Sequence, residues 1–167
     1  MFEDESMIRD YQAIQKSWFP KGQQKKVPTY GKHHGAKLVG LLNYETGEVY
    51  VEEHEKYDAQ VFLSFLQNVV QKYSGKIVII LDNARIHHAK LLKPFLEEHK
   101  DRLTFTYLPP YSPNLNMIEE LWGWLKISVI NNVFFNTLDD IRDAVNGFIS
   151  WINQNKEIVI DRLCLQY

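Results

Sequence analysis

The 167 residues match the size of one ordinary domain, and a 45% hydrophobic and 13% aromatic content is enough for one well-packed core. With 19 Lys and Arg against 21 Asp and Glu, the net charge of -2 excludes the overall basic field of most autonomous duplex-binding proteins. The single cysteine, Cys164, excludes an intrachain disulfide, and no apolar run reaches the roughly 20 residues of a membrane span. We therefore expect one soluble, cytoplasmic domain with no membrane partner.

The first half of the chain predicts a basic loop, a hairpin and a helix. Prolines and glycines at residues 20–32 indicate a loop, and its lysines form a basic face whose ordinary interpretation is a solvated surface: Lys21, Lys25, Lys26 and Lys32. Short β-prone runs at 37–44 and 48–52 flank Gly47, which predicts a hairpin. After Asp58, a good N-cap, apolar residues recur at helical spacing and predict an amphipathic helix.

The next segment alternates between strand and helix. Residues 77–81 form an unbroken aliphatic run, typical of a strand that is buried on both faces, and the run stops at Asp82. Residues 89–100 favour a helix, although Pro94 argues against part of it, and residues 103–108 favour another strand. This alternation predicts a right-handed crossover between parallel strands.

The last third of the chain favours two helices. Prolines keep the chain extended after residue 108, so a helix can begin again only near Asn116, a capping residue. A last helix is expected to begin at the Thr137 cap and to bury one apolar stripe, which contains Leu138, Ile141, Val145, Phe148 and Ile152.

Asp82 is the most informative candidate for chemistry. A carboxylate at the carboxyl end of a central strand opens into the crevice where α/β sheets bind ligands. The polar residues Asn83, Arg85, His87 and His88 follow it directly and could contact phosphate. The alternative is structural, because an aspartate in this position also caps the turn that follows it.

Helix geometry separates two neighbouring glutamates. At about 100° per residue, Glu119 lies roughly 100° and Glu120 roughly 200° from an apolar stripe centred near Ile118. Glu119 is therefore expected at the rim, near the sheet edge, and Glu120 in water. Gly123 and Lys126 continue the flank of Glu119, where Gly123 leaves room for a substrate and Lys126 could meet a phosphate.

Other chemistries find little support in the sequence. The pairs His33–His34 and His87–His88 are adjacent, a spacing that points neighbouring side chains apart, whereas zinc needs convergent ligands. Trp122 and Trp124 are more typical of packing than of base stacking. No glycine-rich phosphate loop, GxSxG elbow or paired cysteine nucleophile is present, so covalent catalysis is not expected.

Two long motifs resemble a known family. Residues 82–88 (DNARIHH) and 108–122 (LPPYSPNLNMIEELW) are similar to the catalytic domain of mariner-superfamily DDE transposases, specifically their bacterial insertion-sequence branch. The 36 residues between Asp82 and Glu119 are near the habitual gap of that family. Residues 2–6 (FEDES) and 18–22 (WFPKG) add weaker similarity to the first strand and its following loop.

The resemblance implies a fold, a cofactor and a reaction. The fold would be α/β and ribonuclease-H-like, with a mixed central sheet of about five strands, helices on both faces, and residues 1–167 forming one domain. Two Mg²⁺ or Mn²⁺ ions would be held by three catalytic carboxylates, Asp4, Asp82 and Glu119, and Asp4 rests on the resemblance alone. The reaction would be metal-dependent DNA cleavage and strand transfer, with transposon ends and target DNA as the substrates. Asn83, His87 and Lys126 are further expected substrate-binding residues.

The sequence departs from the family in lacking a helix-turn-helix segment. We therefore expect an upstream DNA-binding reading frame or domain as a partner, together with a homodimer. Asp4 lies only three residues after Met1, so the first strand is expected to be clipped at its start. Two alternatives stay open: a catalytically idle transposase fragment that acts through protein association, and a structure-selective nuclease or ribonuclease H on the same fold.

Overall fold

A five-stranded mixed sheet forms the centre of the structure, a computed structural model that describes residues 1–9, 16, 18, 20–23, 26, 35–110 and 112–163. Several residues singled out in the sequence lie outside these ranges: Lys25, Lys32, His33, His34 and Cys164. Lys21 and Lys26 are described and are exposed. Among the described residues, no helix is both long and apolar enough to cross a membrane.

The strands lie in the order β3-β2-β1-β4-β5. Their bounds are β1 Phe2–Arg9, β2 Gly35–Leu42, β3 Val49–His54, β4 Ile77–Leu81 and β5 Leu103–Tyr107. The first three strands pair antiparallel, whereas β4 runs parallel to β1 and to β5. This arrangement confirms the expected mixed sheet and its parallel members, and it places β1 at the centre.

The hairpin expected around residue 47 joins β2 to β3. Gly47 has a φ of +70°, and an added Cβ would lie 2.5 Å from the carbonyl oxygen of Lys156. Glycine is favoured here because the backbone is left-handed and because the neighbouring chain approaches closely. The Asn43 side chain also accepts hydrogen bonds from the backbone N–H groups of Glu45 and Thr46, which closes the turn.

Helices cover both faces of the sheet, as expected. Their bounds are α1 Ala59–Lys72, α2 Lys93–Glu98, α3 Met117–Leu125, α4 Leu138–Gln154 and α5 Lys156–Leu163. One core lies between α1 and the inner residues of β4, and the other lies between the group α3, α4 and α5 and the strands β1 and β2. The caps expected at Asp58 and Thr137 are both present, and Asp140 completes a capping box with Thr137.

Three expectations about these elements were wrong. The helix expected over 89–100 is shorter, because two 3₁₀ turns precede α2 and Pro94 is tolerated only in its first turn. The sequence reading also missed α5. Finally, β4 is not buried on both faces: Val78 is 48% exposed, since α3 and α4 cover the neighbouring strands instead.

Candidate metal centre

A cavity of about 450 Å³ opens at the carboxyl end of β4. Three structural elements bring acidic side chains into it: β1 supplies Asp4, the residue after β4 supplies Asp82, and the first turn of α3 supplies Glu119. The other side is formed by the loop after β5, through Leu108, Pro109, Pro110 and Ser112. Residues that are far apart in sequence thus meet at the sheet edge where α/β folds bind ligands.

Asp82 has both a structural and a functional placement. Its Oδ1 accepts a hydrogen bond of 2.7 Å from the backbone N–H of Ala84, so the side chain does cap the following turn. The same oxygen lies 3.1 Å from Nδ1 of His87, yet about half of the side chain remains exposed to the cavity. The cap therefore fixes the orientation of the carboxylate and leaves it accessible.

Asp4 is held from the side by Trp122. The indole Nε1–H donates a 3.1 Å hydrogen bond to Oδ2 of Asp4. The ring fits because Gly40, which lies opposite Asp4 on β2, has no side chain: a Cβ there would lie 2.5 Å from the Trp122 ring. A glycine on one strand thus makes room for the ring that orients a carboxylate on the next strand.

The electrostatics of the cavity are unfavourable without a cation. Burial, followed by the negative charges of Glu119 and Glu5, raises the pKa of Asp4 from 3.8 to about 7. No lysine or arginine is among the described residues that line the cavity. A divalent ion would offset this repulsion, and carboxylate oxygens are the ligands that Mg²⁺ and Mn²⁺ prefer.

The first turn of α3 places Glu119 and not Glu120 at the cavity. Asn116 occupies the N-cap position, but its side chain does not cap the helix, contrary to expectation. Instead, its Nδ2 donates a 2.9 Å hydrogen bond to the backbone oxygen of Glu3. This bond ties the start of α3 to β1, and hence fixes Glu119 relative to Asp4.

Comparison with known families identifies the group to which the chain belongs. Residues 1–142 match the family model described as DDE superfamily endonuclease. The chain belongs to that family. The matched range includes all three carboxylates of the cavity and the whole of the sheet.

Two curated proteins are similar to this chain. The IS630 insertion element uncharacterized 39 kDa protein of Shigella sonnei is 29% identical over 154 residues, covering 91% of this chain and 45% of that protein. The uncharacterized protein y4pE/y4sA of Sinorhizobium fredii (strain NBRC 101917 / NGR234) is 38% identical over 64 residues, covering 38% of this chain and 44% of that protein. The matched segments cover less than half the length of each of these relatives.

Solved structures with a similar fold include the Mos1 transposase paired-end complex with the left transposon end. Its TM-score is 0.69 at 16% identity, covering 99% of this chain and 56% of that chain. The catalytic domain of the Mos1 mariner transposase has a TM-score of 0.57 at 16% identity, covering 97% of this chain and 77% of that chain. At such low identity the likeness concerns the fold alone, and it confirms the expected ribonuclease-H-like architecture.

The expected substrate-binding residues of this DDE family member take three different places. Asn83 lines the cavity, and its Nδ2 donates a 2.6 Å hydrogen bond to the backbone oxygen of Leu108. Lys126 lies at the C-terminal end of α3, outside the cavity lining. His87 is only 2% exposed and lies beneath Asp82, so the expectation of direct substrate contact is corrected: its neighbours fill the space around the ring.

Sequence reasoning missed the acidic residues on the other face of β1. Glu3 and Glu5 alternate with Asp4 along the strand, and their carboxylates lie near His87 on the opposite side of the sheet. The alternation of strand side chains could have grouped these two glutamates. Nothing in the sequence could have indicated that His87 meets them, because that contact depends on how β1 and β4 pair.

Proposed function

We propose that this chain is the catalytic domain of an insertion-sequence transposase, which cuts DNA strands and joins them to target DNA with the help of divalent metal ions. The observation that carries the proposal is the convergence of Asp4, Asp82 and Glu119 on one cavity in a member of the DDE endonuclease family. The fold is also similar to that of the Mos1 transposase in its complex with transposon-end DNA.

The donor set supports two Mg²⁺ or Mn²⁺ ions, held by the same three carboxylates. Burial, followed by the negative charges of Glu119 and Glu5, raises the pKa of Asp4, and a bound cation would offset this cost of ionising the carboxyl. Related Mos1 mariner complexes were solved with Mn and with Mg. When bound, such ions activate a water or a 3′-hydroxyl and stabilise the leaving oxygen of an in-line displacement.

The roles of the chain's own residues in this proposal are to hold and orient the carboxylates. The hydrogen bond from the backbone N–H of Ala84 orients the Asp82 carboxylate, and the hydrogen bond from the Trp122 indole orients the Asp4 carboxylate. Asn83 joins the β4 end to the loop after β5, which would form the wall along which a DNA strand lies. Lys126, farther along α3, is proposed to contact a phosphate beyond the cavity.

Recognition of element ends requires more than this cavity. The net charge of -2 supplies no overall basic field, so the proposal includes an upstream DNA-binding reading frame or domain as a partner. Association into a homodimer and action on DNA in the cytoplasm stay predictions. Sedimentation with and without element-end DNA would measure whether the chain forms a homodimer.

Paired glutamate variants test the catalytic proposal. Glu119→Gln should lower Mn²⁺-dependent cleavage of labelled duplex DNA by at least about 100-fold, since it removes a ligand of the ions that act on the transition state. Glu120→Gln changes the neighbouring residue in the same turn, outside the cavity, and should cleave like the parent. Equal activity of the parent and Glu119→Gln would refute the site.

Substrate choice then separates transposition from the alternatives. Joining of a labelled element-end oligonucleotide to a plasmid, with a free 3′-hydroxyl as the nucleophile, is the expected product of a transposase. Preferred cleavage of RNA/DNA hybrids or branched DNA, without joining, would indicate the nuclease alternative. Failure of the folded chain to bind Mn²⁺ at millimolar concentration in calorimetry would indicate an idle fragment.

A further inference from the structure

A second cluster of ligand-type side chains lies on the face of the sheet opposite Asp4. Because side chains alternate along a strand, Glu3 and Glu5 of β1 share that face, and His87 approaches them from the turn after β4. Glu3 is 0% exposed and Glu5 is partly buried. None of the three residues lines the catalytic cavity, although Nδ1 of His87 lies 3.1 Å from Oδ1 of the cavity residue Asp82.

The buried polar atoms of this cluster lack hydrogen-bond partners. Both carboxylate oxygens of Glu3 and Nε2 of His87 are buried without one. The distances from Nε2 of His87 are 3.4 Å to Glu3 Oε2 and 3.7 Å to Glu5 Oε1, beyond the usual range of N–H···O bonds. Buried charges of this kind are found paired or bound to metals.

The other nitrogen of the His87 ring indicates how the cluster is used. Nδ1 lies 3.1 Å from the backbone oxygen of Asp82, which can only accept, so Nδ1 carries the proton. In the neutral ring, Nε2 then directs a lone pair towards the two carboxylates, which is the arrangement that a bound cation requires. Histidines that bind metals commonly donate their second ring N–H to a carbonyl or carboxylate in this way.

The distances from His87 to the two carboxylates fit tetrahedral coordination. With metal–ligand bonds of about 2.0 to 2.2 Å, two tetrahedral ligands are separated by roughly 3.4 Å. The two distances from His87 are close to this value, and all three atoms lie within 4.8 Å of one another. We propose that Glu3, Glu5 and His87 form a second metal site, which binds one divalent cation of the zinc type.

This ion would have a structural role. It would join β1 to the turn after β4, the two segments that carry Asp4 and Asp82 on the catalytic side. The ring of Phe62 lies 4.6 Å from the His87 ring and shields the cluster from water. Two competing explanations place a proton where the cation would bind. Burial of the Glu3 carboxyl favours a proton there, and Glu5 and Asp82 raise the pKa of His87 in spite of its burial, which favours a proton on Nε2.

Measuring the metal content of the chain tests this proposal without any DNA assay. Failure of the second metal site is therefore distinguishable from failure of the proposed transposase function. The purified chain is loaded with Zn²⁺, dialysed against metal-free buffer and analysed by mass spectrometry for zinc. The parent and Glu119→Gln should each keep about one zinc ion that Glu3→Gln and Glu5→Gln lose. Glu52→Gln serves as a matched control, because Glu52 also lies beside a histidine, His54, but outside the cluster.

Replacement of zinc by Co²⁺ provides a second readout, since visible absorption of tetrahedral Co²⁺ with a nitrogen ligand should appear in the parent and vanish in Glu5→Gln. Circular dichroism checks that each variant folds, and Glu5→Gln decides the question if Glu3→Gln does not fold. Retention of the same zinc content by folded Glu5→Gln would overturn the proposal. A parent that keeps no zinc would also overturn the proposal. In that case, a higher free energy of unfolding in Glu3→Gln would indicate that Glu3 carries a proton in place of the cation.

Discussion

Replacing Asp4 by asparagine should stabilise the metal-free protein at alkaline pH. The raised pKa of about 7 means that the folded chain keeps a proton on Asp4 that the unfolded chain releases near its ordinary pKa of 3.8. This contribution to stability is complete below pH 3.8 and is lost as the pH rises through about 7. Asparagine has no such group, and its amide oxygen can still accept the hydrogen bond from Trp122.

The magnitude follows from the pH interval. Between pH 5 and the raised pKa of about 7, the parent loses roughly 1.4 kcal/mol for each pH unit. The free energy of unfolding of Asp4→Asn, minus that of the parent, should therefore increase by about 2 to 3 kcal/mol between pH 5 and pH 8.5. Because Asp4 is partly exposed to solvent, we expect a value near the lower end of this energy range, about 2 kcal/mol.

Urea unfolding in EDTA, followed by tryptophan fluorescence at both pH values, measures this difference. Asp101→Asn, which removes a carboxylate at an exposed position, is the matched control. Excess Mn²⁺ should make the parent more stable than Asp4→Asn, because only the parent keeps all three carboxylate ligands of the metal site. At 100 times Kd, binding adds about 2.7 kcal/mol to the free energy of unfolding. A difference for Asp4→Asn that is constant from pH 5 to pH 8.5 would refute the electrostatic reasoning.

Three further predictions concern the packing around the cavity. Gly40→Ala should lower the free energy of unfolding by about 1 to 3 kcal/mol, because the new methyl group would meet the Trp122 ring at 2.5 Å; unchanged urea unfolding would contradict this. Trp122→Phe should slow DNA cleavage and raise the Mn²⁺ concentration needed for half-maximal rate, since Asp4 loses its donor, and an unchanged Mn²⁺ titration would exclude that role. Gly123→Ala and Gly147→Ala should each raise the free energy of unfolding by up to about 1 kcal/mol, and hence the thermal midpoint, because both are helical positions where an added Cβ meets no other atom. Only Gly123→Ala, one turn beyond Glu119, should also reduce cleavage, so equal activities of the two variants would show that this flank does not contact DNA.

The features that could be predicted from sequence depend on local chemistry. The N-cap at Asp58, the turn at Gly47 and the capping box at Thr137 are each determined by a few adjacent residues, and the structure contains them all. The aliphatic run of β4 and the carboxylate that follows it are local in the same sense. For this reason Asp82 could be selected from the residues alone.

The features that could not be predicted depend on pairing between distant segments. The contact of Gly40 with Trp122 requires the register of β1 against β2 as well as the position of α3. The exposure of Val78 likewise depends on which strands the later helices cover. Periodicity within one element contains no information about either arrangement.

Asp4 could be selected as a catalytic carboxylate only from the resemblance to a known family, because the physical pattern of the strand did not distinguish it from its neighbours. Residues 3, 4 and 5 are all acidic, and a strand pattern only divides them into two faces without indicating which face meets the catalytic cavity. The structure provides the reason, because Trp122 and the first turn of α3 cover the face of Asp4. His87 covers the other face, where Glu3 and Glu5 lie.

The central strand is therefore acidic on both faces, an arrangement that is costly in a protein interior. Burial raises the pKa of both Asp4 and Glu3, and the negative charge of Glu5 raises each of them further, so the two faces are electrostatically linked through the strand. A cation bound on one face would lower the cost of ionising carboxyls on the other. If both proposed sites are occupied, zinc bound by Glu3, Glu5 and His87 should thus tighten Mn²⁺ binding at Asp4, and by thermodynamic reciprocity Mn²⁺ should tighten zinc. Two like-charged cations also repel each other, so calorimetric Mn²⁺ titration of zinc-loaded and zinc-free protein measures which effect dominates; weaker Mn²⁺ binding in the zinc-loaded protein would show that the repulsion exceeds the gain from ionisation.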